Sequence, residues 1–195
     1  MEEKINLIAS QLGEIRVKKN INLSDYLESK LVNEASAIFI ATSTQELIKA
    51  VNLCRELKLD YLLIGSGSKI MVSNNNFEGL VIKNRSHNLK IFGVKGKVSR
   101  AGIGIKEAFI EADSGVNLTD LLIFSSGQGL GGFENLSNIT GTIGGSILNN
   151  LLLRENTTSV KVLDKSGSEA VKDINKITGK DVILKVIFHL KAKEV

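Results

Sequence analysis

The sequence predicts a mixed α+β / α/β fold, built as one domain or as two small lobes sharing a core. Three observations lead there. Residues 37–64 read as strand, helix and strand. Residues 89–112 fall into short strand-like pieces between glycines, and residues 182–190 alternate well. Between these, Gly127 to Asn150 holds seven glycines with Leu130, Phe133, Leu136, Ile139, Ile143 and Ile147 interleaved, as in an ordered, packed loop rather than a flexible linker.

Taken in order, Ile5, Ile8, Leu12 and Ile15 stand at helical spacing, so residues 5–15 form a short amphipathic helix. Residues 17–33 read as an irregular connector with a turn near Asn22–Asp25. Ala37–Ala41 is an apolar strand. Ser43 with Glu46 three residues on is a capping box, and Leu47, Ala50, Val51, Cys54 and Leu57 follow as one stripe. Cys54 on that stripe is a buried structural thiol. Tyr61–Ile64 is the next strand, and the strand–helix–strand unit predicts a parallel pair with a right-handed crossover. Ile70–Val72 and Leu80–Ile82 also read as strands, with a turn at Asn74–Asn76 between them. The pieces Leu89–Phe92, Lys97–Ala101 and Ala108–Ala112 predict an antiparallel meander. Residues 117–126 read as a helix stopped by Gly127. In residues 182–190, Val182, Leu184, Val186, Phe188 and Leu190 share one face, which leaves His189 half-exposed on the other. His87 falls in a polar loop.

Composition excludes several function classes. The chain is 195 residues long with 25 Lys and Arg, 21 Asp and Glu, and a net charge of +4. Its basic residues are scattered and aromatics make up only 5 %, so neither a basic track nor a stacking platform for nucleic acid is predicted. One cysteine and two widely separated histidines predict no disulfide framework and no metal site. No apolar run reaches membrane-spanning length, and Met1–Lys4 does not open a secretory signal, so a cytoplasmic protein without membrane association is expected. With no proline, loops here are shaped by Gly, Asn and Ser.

Two small-residue loops carry the chemistry. Gly65-Ser66-Gly67-Ser68-Lys69 follows a parallel strand directly, where α/β proteins bind ligands. It lacks both the P-loop pattern and the third glycine of a Rossmann fingerprint, and alone it reads equally as a turn. Gly141-Thr142-Ile143-Gly144-Gly145-Ser146 is the second, either a tight turn or a concave set of amide donors for phosphate oxygens. Together, with the hydroxyls of Ser66, Ser68, Thr142 and Ser146, they suit a diphosphate. No acidic pair stands beside them to hold Mg²⁺, which argues against nucleotide hydrolysis and for a dinucleotide anchored by its phosphates. No serine sits in G-x-S-x-G.

On these residues the chain resembles the FAD-binding domain of the UDP-N-acetylenolpyruvoylglucosamine reductase family, flavoenzymes of bacterial cell-wall precursor synthesis. The match runs through Leu63–Val72, then Phe77-Glu78-Gly79-Leu80-Val81-Ile82, then Gly129–Glu134, Leu136, Ile139–Ser146 and Asn150. The resemblance implies a two-lobed FAD-binding domain of the vanillyl-alcohol oxidase / p-cresol methylhydroxylase type. It covers about residue 23 onward, with lobe one near 23–85 and lobe two near 86–195, after an N-terminal helix and connector over 1–22. It implies FAD as cofactor, with Ile64, Gly65, Ser66, Gly67, Ser68 and Lys69 on one side of the pyrophosphate and Gly141, Thr142, Gly144, Gly145, Ser146 and Asn150 on the other.

The chain departs from the family at several points. Lys69 stands for an asparagine, Thr140 for a proline, and Leu151–Glu155 for a glycine- and tyrosine-containing continuation. Residues 166–180 lack the family's catalytic arginine, and the domain that carries its proton-donating serine and glutamate has no counterpart in these residues. Two functions therefore stand side by side. One is an FAD-binding protein of the flavin-dependent oxidoreductase class, whose catalysis needs a second protein chain supplying the substrate site or a small acceptor reaching the flavin directly. The other is a degenerate scaffold without cofactor, an interaction module using an exposed apolar run at Leu151–Leu153.

Overall fold

The computed structural model describes residues 1–27, 34–68, 76–99 and 102–193. They form two compact units, Met1–Ser86 and His87–Val195.

The first unit opens with α1 (Glu2–Leu12), which buries Ile5, Ile8, Ala9 and Leu12. Gly13, at φ +102, ends it, and its amide donates to the Ala9 carbonyl. The helix thus stops a turn earlier than its apolar spacing predicts, and Ile15 lies beyond it, 94 % exposed. Part of the expected connector is a strand, β1 (Val17–Asn22), antiparallel to β2 (Glu34–Ala41). Only Val17 and Ile21 of β1 are buried, while Lys18, Lys19 and Asn20 face outward. Outward charge is how an edge strand avoids further pairing, and it also erases the alternation that would reveal the strand. A single 3₁₀ turn, Leu23–Asp25, follows, capped by the Asn22 side chain accepting from the Ser24 amide at 3.0 Å.

Next come α2 (Thr44–Glu56), β3 (Tyr61–Ile64) and β4 (Phe77–Asn84). The sheet order is β1-β2-β4-β3, with β2, β4 and β3 all parallel. The predicted β2–β3 pair is therefore parallel but not adjacent, because β4 lies between them. Burial explains the insertion. Leu80, Val81 and Ile82 are all fully buried, so β4 needs cover on both faces and takes the centre. Gly79 permits it: a Cβ there would stand 2.3 Å from the Asp60 carbonyl oxygen. On α2, Leu47, Ala50, Val51 and Cys54 are buried, and burial pushes the Cys54 thiol up to about 12. The other sheet face carries Ile38, Val81 and Ile64 against Ile21, Leu23 and Leu27.

The capping box forms as its spacing requires. Ser43 Oγ accepts from the Glu46 amide at 3.2 Å. The Glu46 carboxylate reaches back one residue further than the motif asks, accepting from the Thr42 amide at 2.8 Å. Arg16 donates to it twice, at 2.6 and 2.8 Å.

The second unit is a five-stranded antiparallel sheet, order β5-β6-β9-β7-β8. Its strands are β5 (Leu89–Ser99), β6 (Gly102–Asp113), β7 (Thr157–Leu163), β8 (Glu169–Lys172) and β9 (Val182–Lys191). The expected short pieces are one long hairpin. Register shifts at Ile91/Gly93 and Lys95/Gly96 absorb two of the glycines that looked like breaks. Three helices, α3 (Leu118–Gly127), α4 (Ile143–Ser146) and α5 (Leu151–Glu155), contribute Leu118, Leu121, Ile143 and Leu153 to the core on one face. Strand β9 places Val186, Phe188 and Leu190 there, and Phe188 meets Phe133 edge-to-face at 5.2 Å. On the opposite face, Lys185 pairs with Glu111 at 3.0 Å and His189 stacks on Phe109 at 4.7 Å. His189 Nε2 lies 2.9 Å from Glu107 Oε2, so this histidine is the half-exposed strand residue its register predicts.

The run Leu151–Leu153 is not an exposed patch. Asn150 starts a helix there, with Leu151 69 % exposed and Leu153 fully buried. Among the described residues, no helix is long and apolar enough to cross a membrane.

Candidate cofactor site

The first loop grows out of β3. Ile64 is 2 % exposed and packs in the first unit's core, so only its backbone is available to a ligand. Gly67 takes φ +81, a conformation that favours glycine. Ser66 Oγ accepts from the Ser68 amide at 3.3 Å and lies 3.0 Å from Ser68 Oγ. The two hydroxyls share one proton between them, which leaves the second proton able to donate elsewhere. Lys69 lies outside the described residues.

The second loop, in the second unit, is held by the turn that ends β6. The Gly144 amide donates to the Ser114 carbonyl at 2.8 Å, Ile143 donates to Val116 at 2.9 Å, and Leu118 donates to Gly141 at 3.0 Å. These bonds make Thr142 and Asn117 an isolated antiparallel bridge of the non-hydrogen-bonded kind. In such a pair each residue's own amide points away from its partner strand. The Thr142 amide therefore points away from the Asn117 segment, and among the described residues neither it nor the Gly141 amide has a protein acceptor. Gly141 takes φ +131, which turns the chain into this position.

The five amides from Gly141 to Gly145 are thus not equivalent. Those of Ile143 and Gly144 are used by the protein, and that of Gly145 donates weakly to Thr142 Oγ1 at 3.4 Å, the N-cap of α4. The two glycines of the pair also differ. A Cβ on Gly144 would stand 3.0 Å from Ser114 Cβ and 3.1 Å from its carbonyl oxygen. Gly145 is exposed, and a Cβ there meets only Thr142 Oγ1 at 3.5 Å. Gly144 is a packing glycine, whereas Gly145 keeps an outer surface open. Ser146 is 1 % exposed. Its carbonyl accepts from the Asn150 amide at 2.9 Å, and Asn150 Oδ1 caps α5 by accepting from the Leu153 amide at 3.0 Å. Thr142, Gly145, Ser146 and Asn150 therefore lie along one continuous turn–helix–turn, with Ser114–Asn117 as its support. Sequence reasoning missed that support, because nothing in Asp113-Ser114-Gly115-Val116-Asn117 beyond a turn composition marks it.

Each unit thus carries donors suited to an anion: in the second, the Gly141 and Thr142 amides and the open surface at Gly145; in the first, the paired hydroxyls of Ser66 and Ser68. Residues 35–169 match the FAD binding domain family. The chain belongs to this family. Its fold is that of the vanillyl-alcohol oxidase and p-cresol methylhydroxylase type, and its cofactor is FAD. The UDP-N-acetylenolpyruvoylglucosamine reductase of Lactobacillus helveticus is 31 % identical over 158 residues, which are 78 % of this chain and 49 % of the relative. This member of the FAD binding domain family thus spans about half the length of the curated relatives it matches, 49 % in that case. Among solved structures, UDP-N-acetylenolpyruvylglucosamine reductase from Thermus caldophilus superimposes with a TM-score of 0.68 at 19 % identity, over 92 % of this chain and 64 % of that one. p-Cresol methylhydroxylase with substrate bound gives a TM-score of 0.62 at 13 % identity, over 98 % and 43 % of the two chains.

Proposed function

We propose that this chain is the flavin-holding part of an oxidoreductase resembling UDP-N-acetylenolpyruvoylglucosamine reductase, and that both glycine turns grip the FAD pyrophosphate. The observation that carries the reading is the Thr142 amide, which has no acceptor among the described residues, near the open surface at Gly145. Buried amides without partners are rare, and Thr142 is only 5 % exposed, so an acceptor from outside the chain answers a real need. Gly141, Thr142, Gly145, Ser146 and Asn150 would hold one side of the diphosphate. Gly65, Ser66, Gly67 and Ser68 would hold the other. FAD, when bound, supplies hydride transfer, while these residues bind and orient it.

Reduction of an enolpyruvyl group also needs a proton donor. His189 is hydrogen-bonded to Glu107 and stacked on Phe109, and Cys54 is buried, so neither serves. The donor and the substrate contacts come, in this reading, from a second protein chain, and the reaction belongs to peptidoglycan precursor synthesis. The reading is tested by mixing the purified chain with FAD, removing free flavin by gel filtration and recording the visible spectrum. Flavin absorbance eluting with the protein is expected, and a colourless protein peak would contradict it.

A cofactor-free scaffold is favoured by one observation: three of the turn's amides already have acceptors within the protein. On that reading the protein's mass and spectrum are the same with and without FAD.

A further inference from the structure

Strand β6 ends on a buried carboxylate. Asp113 is 4 % exposed and stands opposite Lys185 of β9. Asp113 Oδ2 accepts from the Asn88 amide at 3.1 Å, and the Asp113 amide donates in turn to the Asn88 carbonyl at 2.8 Å. Asp113 Oδ1 makes no hydrogen bond among the described residues. It lies 3.6 Å from the Lys185 ammonium, which is closer to Glu111, at 3.0 Å. Burying a carboxylate is costly, and a buried ion pair does little more than repay its own desolvation. Net stability is therefore a poor reason for a carboxylate here. Geometry is a better one, because the residues that follow carry the second glycine turn. The Ser114 amide donates to Leu184 at 2.9 Å, and the Val116 amide returns to the Asp113 carbonyl at 3.1 Å. The Ser114 and Val116 carbonyls then accept from Gly144 and Ile143, at 2.8 and 2.9 Å. The Thr142 amide, without an acceptor among the described residues, comes directly before that pair.

From this we propose that Asp113 is a positioning residue for the diphosphate: its carboxylate, held by Asn88 and Lys185, sets the turn over residues 113–116, and that turn sets the amides of Gly141 and Thr142. The assignment rests on the FAD reading above and deepens it. Asp113 touches no ligand and acts through the backbone of Ser114 and Val116. A neutral acceptor could take the Asn88 amide, but only a carboxylate also holds Lys185. Fixed placement matters because a hydrogen bond weakens steeply with misalignment, and a donor already in position binds without an ordering cost.

The test separates positioning from mere support of the fold. Asp113→Asn keeps an acceptor for the Asn88 amide and gives up the pair with Lys185, and Asp113→Ala gives up both. Asp181→Ala is the control. The Asp181 side chain is 2 % exposed in the same unit, paired with Lys172 at 2.7 Å and accepting from the Thr178 amide at 2.8 Å, away from the glycine turn. Titrations with FAD and ADP read affinity, and amide hydrogen exchange followed by NMR reads how firmly Gly144 holds to Ser114 before ligand is added. FAD and ADP affinity should fall about threefold for the Asn chain and about tenfold or more for the Ala chain. Exchange at the Gly144 amide should quicken in the same order, and Asp181→Ala should match wild type in both readouts. An Asn chain equal to wild type in affinity and exchange, or an Asp181→Ala chain that loses as much as Asp113→Ala, would overturn the assignment and leave the FAD reading standing. If Asp113→Ala does not fold, the Asn chain decides. A wild-type chain that binds neither FAD nor ADP would overturn both.

Discussion

Gly144 and Gly145 are neighbours in one turn, and the space around them differs. An alanine at Gly144 drives its Cβ against Ser114, with contacts of 3.0 and 3.1 Å that include a backbone oxygen. Gly144→Ala is expected to lower unfolding stability by about 1–3 kcal/mol, read from urea denaturation. Gly145→Ala meets only ordinary contact at 3.5 Å on an exposed surface of α4. It is expected to be neutral or to stabilise by up to about 1 kcal/mol in the same measurement, since alanine suits a helix better than glycine. The sequence presents these glycines as equals within a G-T-I-G-G-S run. That small residues crowd a ligand loop is readable there. Which of them faces protein and which faces solvent depends on Ser114, thirty positions earlier in the chain, and no local pattern announces that contact.

At the scale of elements, the N-terminus of α2 is the best-determined piece of the first unit. Glu46 is held well below the ordinary carboxylate range, at about 2, first by the hydrogen bonds from Arg16 and then by those from Thr42, against the opposing effect of burial. A carboxylate with a lowered folded pKa stabilises above its unfolded value, ordinarily 4.5, and loses that contribution as pH falls toward about 2. The Arg16 and Glu46 side chains are 44 % and 28 % exposed, so solvent screens much of the effect. Glu46→Ala should cost about 1–2 kcal/mol at pH 7 once that screening is allowed for, and the gap to wild type should close between pH 4.5 and 2 in a series of thermal melts. A gap independent of pH would mean the ion pair contributes nothing. Ser43 and Glu46 were readable because a cap is a local device with fixed spacing. The same holds for β9, where burial alternates residue by residue from Leu184 to Leu190 and so writes a period of two into the sequence. β1 was not readable, because an edge strand with three outward polar residues shows no period. The place of β4 was not readable either, since strand order is decided by long-range burial rather than by any residue beside it.

For the whole molecule, the division at Ser86/His87 gives each glycine turn its own compact unit. Cys54 lies in the first unit, fully buried, with its thiol raised to about 12 by desolvation, so a thiol reagent reaches it only when that unit opens. If FAD holds the first unit as well as the second, saturating it at a hundred times its dissociation constant should slow Cys54 alkylation about a hundredfold by mass action. An alkylation rate indifferent to FAD would place the ligand off the first unit. The most direct test of the central claim is a calorimetric FAD titration of the wild-type chain beside Ser68→Glu and Gly145→Glu, each putting one carboxylate on one turn. The account predicts one equivalent of FAD bound by wild type and none by either variant, with thermal melts of the three chains alike. A wild-type chain that takes up no heat, or a variant of either turn that still binds FAD at full affinity, would contradict a diphosphate shared by both.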